Sequence, residues 1–283
     1  LGDYSFHQAV IQSKGKLSYE LVSNLIEGRE DDEIKALPDD VANSLDQLHQ
    51  AATALRKWRS EHALLSGDRP EFRLRLDENK RIRLIEPSVQ NEAHRLVEEC
   101  MVAANRCAAD FLANQTAGLF IQHPGLRDDR ADNIRALIDS HAPHLSGVDA
   151  HQAEGFRKLM KETDALEAEV PVKAILSRQL ARAELSFKPA PHQGMGLDAY
   201  TTFTSPLRKF SDFYVHRLIK SALWDTPMKA LSEDQLEALQ AAQIRARQAA
   251  NSLEAWLKSD FAKTLGEEPV SYTHLTLPTK RIV

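Results

Sequence analysis

The chain has 283 residues, of which 42% are hydrophobic and 27% are charged. This balance is ordinary for a globular protein, and it excludes a chain that is disordered throughout. The formal net charge of −5 excludes a uniformly basic surface, so any nucleic-acid site must be a local basic feature.

The termini and the apolar runs give expectations about location. No apolar run approaches the roughly 18 residues of a membrane span. The sequence begins at Leu1 with neither a methionine nor a signal peptide. We therefore expect a cytoplasmic protein and a fragment of a longer chain.

The N-terminal part is predicted to be mostly helical. Ser18 can cap a short helix, and an acidic loop around Pro38 is typical of a solvated surface. Asp40 can cap a long helix that ends before Arg69. One face of that helix carries Val41, Leu45, Leu48, Ala52, Leu55 and Arg59.

The clearest strand pattern is a predicted β-hairpin with its turn at residues 77–80. Its alternating apolar residues are Phe72, Leu74, Leu76, Ile82 and Leu84. The residues between them predict an arginine face made of Arg73, Arg75, Arg81 and Arg83. Such a face could follow RNA phosphates, but a solvated strand face is the commoner structure, so both interpretations stay open.

The rest of the chain alternates predicted helices with short strands. A helix is predicted from residue 88 to 114 after Pro87, and its apolar side includes Val89 and Val97. Further helices are predicted at residues 130–140, 152–166, 171–182 and 233–265, with strands at 119–122 and 183–188. The pattern predicts one helix-rich α+β domain.

The two cysteines, Cys100 and Cys107, lie seven residues apart on one predicted helix. Helical rise separates them by roughly 10 Å, which is too far for a disulfide. We expect reduced core residues. A metal site that adds His94 is geometrically possible, but these spacings match no zinc pattern.

Residues 194–220 are predicted to build an anion site. Ser205 is a good N-cap and Pro206 a good first helical residue, so a helix should start here. Arg208 would then lie in the first turn, where free N–H groups and the helix dipole favour a phosphate or a carboxylate. The alternative is that Arg208 only pairs with Asp212 at i, i+4.

Several motifs in this chain resemble a known family. Residues 200–212 read Tyr-Thr-Thr-Phe-Thr-Ser-Pro-Leu-Arg-Lys-Phe-Ser-Asp, and related stretches occur at 16–19, 62–70, 95–105 and 191–197. Together they resemble the RNB-type exoribonucleases, most of all the bacterial ribonuclease II branch. The resemblance covers roughly Phe6 to Phe261, in the family's order. It implies the helix-rich C-terminal part of an RNB-type catalytic domain, with a small and mostly antiparallel sheet.

The resemblance implies roles for three residues. Arg208 matches the arginine that contacts phosphate at the scissile bond and stabilises charge in the transition state. Glu98 matches the glutamate that accepts a hydrogen bond from a ribose 2′-hydroxyl. Tyr19 matches a tyrosine that lines the channel near the RNA 3′ end. From the residues alone, Glu98 is a helix-surface charge and Tyr19 is a buried structural tyrosine.

The resemblance also implies the reaction, which is metal-assisted hydrolysis of single-stranded RNA from the 3′ end to nucleoside 5′-monophosphates. Mg²⁺ is the expected cofactor of the complete enzyme. The family's aspartate cluster lies upstream of the segment that matches residues 16–19. We therefore expect no metal ligands in this chain, which alone should be inactive. Ser66 and Ala250 depart from ribonuclease II, which has phenylalanine and glutamate there.

The expected organisation is a partial catalytic domain over residues 1–269. Residues 270–283 resemble a translated sequencing-library adapter and are expected to be foreign. We expect a monomer that binds single-stranded RNA and no membrane. The alternative function is a non-catalytic RNA-binding or scaffold protein that keeps Arg208 and Glu98 but lacks the metal site.

Overall fold

The computed structural model describes residues 2–29, 32–63, 71–150, 152–163 and 172–265. The helices are α1 (Tyr19–Ile26), α2 (Asp32–Lys35), α3 (Asp39–His62), α4 (Glu92–Ala113), α5 (Ala131–His141), α6 (Ala153–Glu162), α7 (Val172–Ser177), α8 (Phe210–Leu223) and α9 (Glu233–Thr264). The strands are β1 (Glu71–Leu76), β2 (Ile82–Ser88), β3 (Phe120–Gln122) and β4 (Glu184–Ser186). The helix-rich α+β prediction is confirmed.

The chain divides into two compact units. The first contains Leu1–Asp68 and Gln90–Glu237, and the second contains Arg69–Val89 and Ala238–Val283. The first unit therefore carries α1 to α8, whereas the second carries the β1–β2 hairpin and most of α9. The prediction that residues 270–283 are foreign falls outside the described residues, as does Ser66.

The hydrophobic core that supports the candidate site belongs to the first unit and contains residues of α4 and α8. Its buried members are Ala108, Ala109, Leu112, Leu119, Phe120, Ala199, Tyr214, Val215, Leu218, Ile219 and Leu236. Strand β3 contributes Phe120 and pairs antiparallel with β4, with Phe120 opposite Ser186. A second core, built on α5, α6 and α7, includes Ile134, Phe156 and Leu176.

Side-chain caps fix the beginnings of α1 and α4. Ser18 caps α1 as predicted, because its hydroxyl accepts a hydrogen bond from the Leu21 N–H at 3.1 Å. Asn91 caps α4 and forms a capping box with His94. Helix α4 packs against both α1 and α3.

Several predicted helix boundaries were wrong. Asp40 does not cap α3, which begins at Asp39 without a side-chain cap. Helix α4 begins at Glu92 rather than at residue 88, because β2 continues through Pro87 and Ser88, which pair with Phe72 and Glu71. Val89 is consequently 81% exposed. Helix α7 ends at Ser177, where the chain turns through a hydrogen bond from the Gln179 N–H to the Leu176 carbonyl.

Candidate functional site

The segment before α8 forms a turn instead of the predicted first helical turn. The N–H groups of Arg208 and Lys209 both donate to the Ser205 carbonyl, at 3.2 and 3.1 Å. Lys209 then adopts an extended conformation, and α8 begins at Phe210. Ser205 is therefore not the N-cap of α8, and Arg208 lies in a separate turn. We call residues 205–209 the Ser205 turn.

A buried carboxylate holds the Ser205 turn against α8. Asp212 is fully buried, its Oδ1 accepts a hydrogen bond from the Ser205 N–H at 2.9 Å, and its Oδ2 accepts one from the Ser211 hydroxyl at 3.0 Å. The alternative pairing of Arg208 with Asp212 is wrong, because Asp212 directs its oxygens to these two serines. Because the Asp212 side chain binds the Ser205 N–H, it competes with a helical turn at this position, and α8 begins only at Phe210.

Arg208 is exposed on the outer side of the turn. Its Nη2 lies 3.4 Å from the Ser205 hydroxyl, a long contact that leaves most of the guanidinium free to meet a ligand. Helical spacing from Ser205 predicts that Leu207 and Phe210 are buried, but Leu207 is 102% exposed and Phe210 is 53% exposed, so this prediction is wrong. The buried stripe of α8 is made instead by Tyr214, Val215, Leu218 and Ile219.

The segment that leads into the turn is tied to three neighbouring elements. Asn105 of α4 donates to the Tyr200 hydroxyl at 2.8 Å and accepts from the Phe203 N–H at 2.8 Å. The Thr201 hydroxyl donates to the Leu119 carbonyl at 2.6 Å. The His216 ring of α8 stacks on Phe203 at 4.0 Å. The turn is thus presented by a rigid base rather than by a loose loop.

Glu98 belongs to a second polar cluster, on α3 and α4. Arg59 donates from Nε and Nη2 to Oε1 of Glu99, at 3.0 and 2.5 Å, and from Nη2 to Oε1 of Glu98 at 2.8 Å. The Glu99 side chain is 3% exposed, whereas that of Glu98 is 45% exposed. We call Arg59, Glu98 and Glu99 the Arg59 cluster. Of the two neighbouring glutamates, Glu98 is therefore the accessible one.

The carboxylate partners of Arg59 stabilise the charged form of its guanidinium. Burial lowers the pKa of the Arg59 guanidinium, but Glu99 and then Glu98 more than offset it, so the pKa is raised above its ordinary value. The cluster carries one positive and two negative charges. The surplus negative charge lies with the pair of carboxylates, of which Glu98 is the accessible one.

Tyr200 connects the Ser205 turn electrostatically with the Arg59 cluster. Burial raises the pKa of its hydroxyl, the Asn105 hydrogen bond lowers it, and the charges of Asp212, Arg59 and Glu98 also act on it. Asn105, seven positions after Glu98 on α4, bonds both the Tyr200 hydroxyl and the Phe203 N–H. The segment that leads into the Ser205 turn therefore packs on the helix that carries Glu98.

Tyr19 is the first residue of α1, and it packs against the N-terminal end of α4. Its ring stacks on His94 with centroids 4.0 Å apart, and its carbonyl accepts a hydrogen bond from the Asn91 side chain at 3.1 Å. Tyr19 is 48% exposed, so it is not the buried tyrosine of the alternative interpretation. One ring face is held in place while much of the side chain stays accessible.

The β1–β2 hairpin does not carry the predicted arginine face. Arg73 pairs across the strands with Glu86, and Arg75 with Leu84, so these four residues share one face. Arg75 also forms an ion pair with Glu86 at 2.6 Å. A bulge between Arg75 and Leu76 shifts the register. The face that carries Arg73 and Arg75 is therefore mixed, because Glu86 and Leu84 lie on it as well.

The other two hairpin arginines lie near the turn. Because Leu76 pairs with Ile82 and Arg75 with Leu84, Arg83 is the extra residue of the bulge. The Arg81 backbone closes the turn with Asp77, whose Oδ1 accepts from the Arg81 N–H at 2.9 Å. A phosphate-tracking role for this hairpin remains an untested prediction.

Three residues of the site were not identified from the sequence: Asp212 as the anchor of the turn, Asn105 as the bridge to Tyr200 and Phe203, and Arg59 as the partner of Glu98. A signal for Arg59 was present, because it was the one charged residue on the predicted apolar face of its helix. Glu99 likewise bordered the apolar side of the facing helix. Two opposite charges on two buried faces predict a pair.

Within the described residues, no group of three or more His, Cys, Asp or Glu side chains is placed to hold a metal ion. These residues therefore do not fit a Mg²⁺ site, and no chemical step is assigned to a metal here. Cys100 and Cys107 are free and half-buried, and burial raises the pKa of both thiols. Of the described helices, none is long and apolar enough to cross a membrane.

Comparison with known proteins places these observations in a family. The sequence profile described as the RNB domain matches residues 1–225. Exoribonuclease 2 of Salmonella newport (strain SL254) is 34% identical over 260 residues, which cover 92% of this chain and 40% of that protein. This chain therefore spans about 40% of the length of the curated relatives it matches.

Solved structures agree on the fold. The apo form of Mycoplasma genitalium RNase R matches with a TM-score of 0.72 at 20% identity, covering 85% of this chain and 39% of that one. Dss1 exoribonuclease of Candida glabrata, an active-site mutant, matches with a TM-score of 0.63 at 24% identity, covering 88% and 30%. The family profile, the sequence relatives and the fold lead to one conclusion: this chain belongs to the RNB family of exoribonucleases.

Proposed function

We propose that the complete protein containing this chain is a 3′–5′ exoribonuclease that hydrolyses single-stranded RNA to nucleoside 5′-monophosphates. The observation that carries the proposal is Arg208, an exposed guanidinium on a turn that buried Asp212 fixes. It occurs in a chain 34% identical to exoribonuclease 2 over 260 residues. The protein would act as a monomer in cytoplasmic RNA turnover.

Arg208 would bind the phosphate at the bond that is cleaved. A guanidinium offers several N–H donors in a planar fork, which suits the oxygens of a phosphate. These hydrogen bonds strengthen as negative charge grows on the oxygens in the transition state. Since Asp212 fixes the backbone of the turn, Arg208 would need little reorganisation when charge develops.

Glu98 would accept a hydrogen bond from a ribose 2′-hydroxyl near the RNA 3′ end. Its side chain is 45% exposed, and its Oε1 accepts a hydrogen bond from Arg59. The 2′-hydroxyl is the group that distinguishes RNA from DNA, so an acceptor placed at the sugar selects ribose. Tyr19, with 48% exposure, would line the same end of the channel. Ser205 would contribute to the phosphate contact through the turn that it closes.

Mg²⁺ would supply activation of water and stabilisation of the leaving oxygen in the complete enzyme. Its carboxylate ligands would lie outside the described residues, N-terminal to the segment that contains Tyr19. This chain would provide the phosphate and ribose contacts and would hydrolyse nothing alone.

The proposal is tested by comparing the complete protein with residues 1–269 alone, on a 5′-labelled single-stranded RNA with either Mg²⁺ or EDTA. We expect the complete protein to shorten the RNA from its 3′ end and to release 5′-monophosphates only with Mg²⁺. The chain alone should bind the RNA weakly at low salt and release nothing.

Two results would contradict the proposal. RNA binding by the complete protein without Mg²⁺-dependent release would indicate the non-catalytic RNA-binding alternative. Efficient Mg²⁺-dependent release by residues 1–269 alone would show that the metal site lies inside this chain.

A further inference from the structure

Arg59 connects two carboxylates that a helix would otherwise direct apart. Glu98 and Glu99 are adjacent on α4, and adjacent helical residues project about 100° from each other. Arg59 approaches from α3 and reaches both of them with one guanidinium. It thereby fixes the position of Glu98 relative to the buried face of its own helix.

The two carboxylates are held in different ways. Glu99 is buried and receives both Nε and Nη2 of Arg59, so it anchors the guanidinium. Glu98 receives only Nη2, and it does so at Oε1. Its Oε2 accepts no hydrogen bond from any residue in the described part of the chain. One oxygen is fixed and the other is available.

We propose that Arg59 is a positioning residue that orients the Glu98 carboxylate toward the ribose 2′-hydroxyl and so sets the preference for RNA over DNA. This inference rests on the proposed ribose contact of Glu98. Glutamate has several rotatable bonds, and the ordering of a flexible side chain opposes any contact it makes. Arg59 and buried Glu99 together supply that ordering before RNA arrives.

The competing explanation is that Arg59 only joins α3 to α4. The chain contains a matched control for that role. Arg56, one turn earlier on α3, forms an ion pair with Glu92 of α4 at 3.2 Å. Glu92 lies six positions before Glu98, so replacing Arg56 by lysine changes an α3–α4 contact that includes no member of the Arg59 cluster.

The experiment measures a discrimination ratio on the complete protein at low salt, with EDTA present to prevent hydrolysis. The ratio is the Kd for an RNA with 2′-deoxy sugars at its 3′-terminal nucleotides divided by the Kd for the all-ribose RNA. The variants are Glu98→Gln, Arg59→Lys, their combination, and Arg56→Lys as the control. Lysine keeps the charge that Glu99 needs, but an ammonium cannot bridge both carboxylates as the guanidinium fork does.

We expect Glu98→Gln to reduce the ratio by roughly 5- to 100-fold, which is the range of a lost hydroxyl contact to a charged acceptor. Arg59→Lys should reduce the discrimination ratio by a large part of that factor. The double variant should reduce the ratio no further than Glu98→Gln does alone. Arg56→Lys should keep the original ratio. Thermal denaturation of each variant separates this effect from stability.

A second variant tests the same role in case Arg59→Lys folds poorly. Arg59→Met combined with Glu99→Gln removes the buried charge together with its partner, and it should also lower the ratio. A ratio that stays unchanged in both Arg59→Lys and this double variant, while it falls in Glu98→Gln, would overturn the positioning role. A ratio that Glu98→Gln itself leaves unchanged would overturn the ribose contact on which the inference depends.

Discussion

The Ser205 turn and the β1–β2 hairpin both present arginine side chains, but they hold them in different ways. At the turn, Arg208 projects from a backbone that buried Asp212 fixes and that Asn105, Leu119 and His216 support from below. On the hairpin, Arg75 pairs with Glu86, whose carboxylate shares that face.

The difference separates two ways in which a protein meets a phosphate. A preorganised cation needs no rearrangement when charge develops, so it can accelerate a reaction. Cations on a mixed and solvated face can only add salt-dependent affinity, because exposed ion pairs contribute little. We therefore expect the turn to influence turnover and the hairpin to influence at most the salt dependence of binding.

The largest expected effect is that of Arg208→Ala in a complete enzyme. We predict that turnover falls on the order of 10²–10³ while the RNA affinity falls much less, because the contact strengthens in the transition state. Arg208→Lys should not restore turnover, since a single ammonium cannot replace the fork. Single-turnover kinetics and binding on the same RNA measure both quantities. Equal losses in both would show that Arg208 only binds the ground state.

A smaller effect is expected when the support of the turn is removed. Asp212→Ala leaves the partly buried Ser205 N–H and the buried Ser211 hydroxyl without their partner, so the free energy of unfolding should fall by about 1–3 kcal/mol. Urea denaturation measures the change, with Asp132→Ala as a control because the Asp132 side chain is 95% exposed. If Asp132→Ala lowered the free energy of unfolding as much as Asp212→Ala, Asp212 would have no special role in holding the turn.

The smallest expected effect concerns the hairpin. If its arginines contact phosphate, replacing Arg73 and Arg83 by glutamine should reduce the slope of log affinity against log salt by roughly one to two units. Arg75 is left in place because it already pairs with Glu86. Binding is measured between low and moderate salt. A slope equal to that of the unmodified chain would assign the hairpin arginines to solvent.

The elements that the sequence predicted well are those whose signal is local. The Ser18 cap, the amphipathic stripes of α5 and α6 and the long helix α9 follow from spacing within one segment. The late start of α8 could not be read in this way. Ser205 and Pro206 favour a helix start locally, but a buried carboxylate seven residues later takes the Ser205 N–H.

The site residues show the same division. Arg208 and Glu98 were identified through motif resemblance, which records function without geometry. Arg59 and Asn105 were missed because their partners are 39 or more positions away in the sequence, and helical periodicity carries no information on such contacts. The prediction of a purely arginine face on the hairpin was wrong for a related reason. Alternation gives the direction of side chains along one strand, but the bulge changes how β1 and β2 are paired, and it places Leu84 opposite Arg75.

Photo-crosslinking tests the central claim most directly. A short single-stranded RNA with 4-thiouridine as its 3′-terminal nucleotide is bound to residues 1–269 at low salt and irradiated, and the crosslinked peptides are mapped by mass spectrometry. The account predicts crosslinks in the Ser205 turn and in the part of α4 around Glu98, and their loss with Arg208→Gln. Crosslinks confined to the β1–β2 hairpin, unchanged by Arg208→Gln, would contradict it.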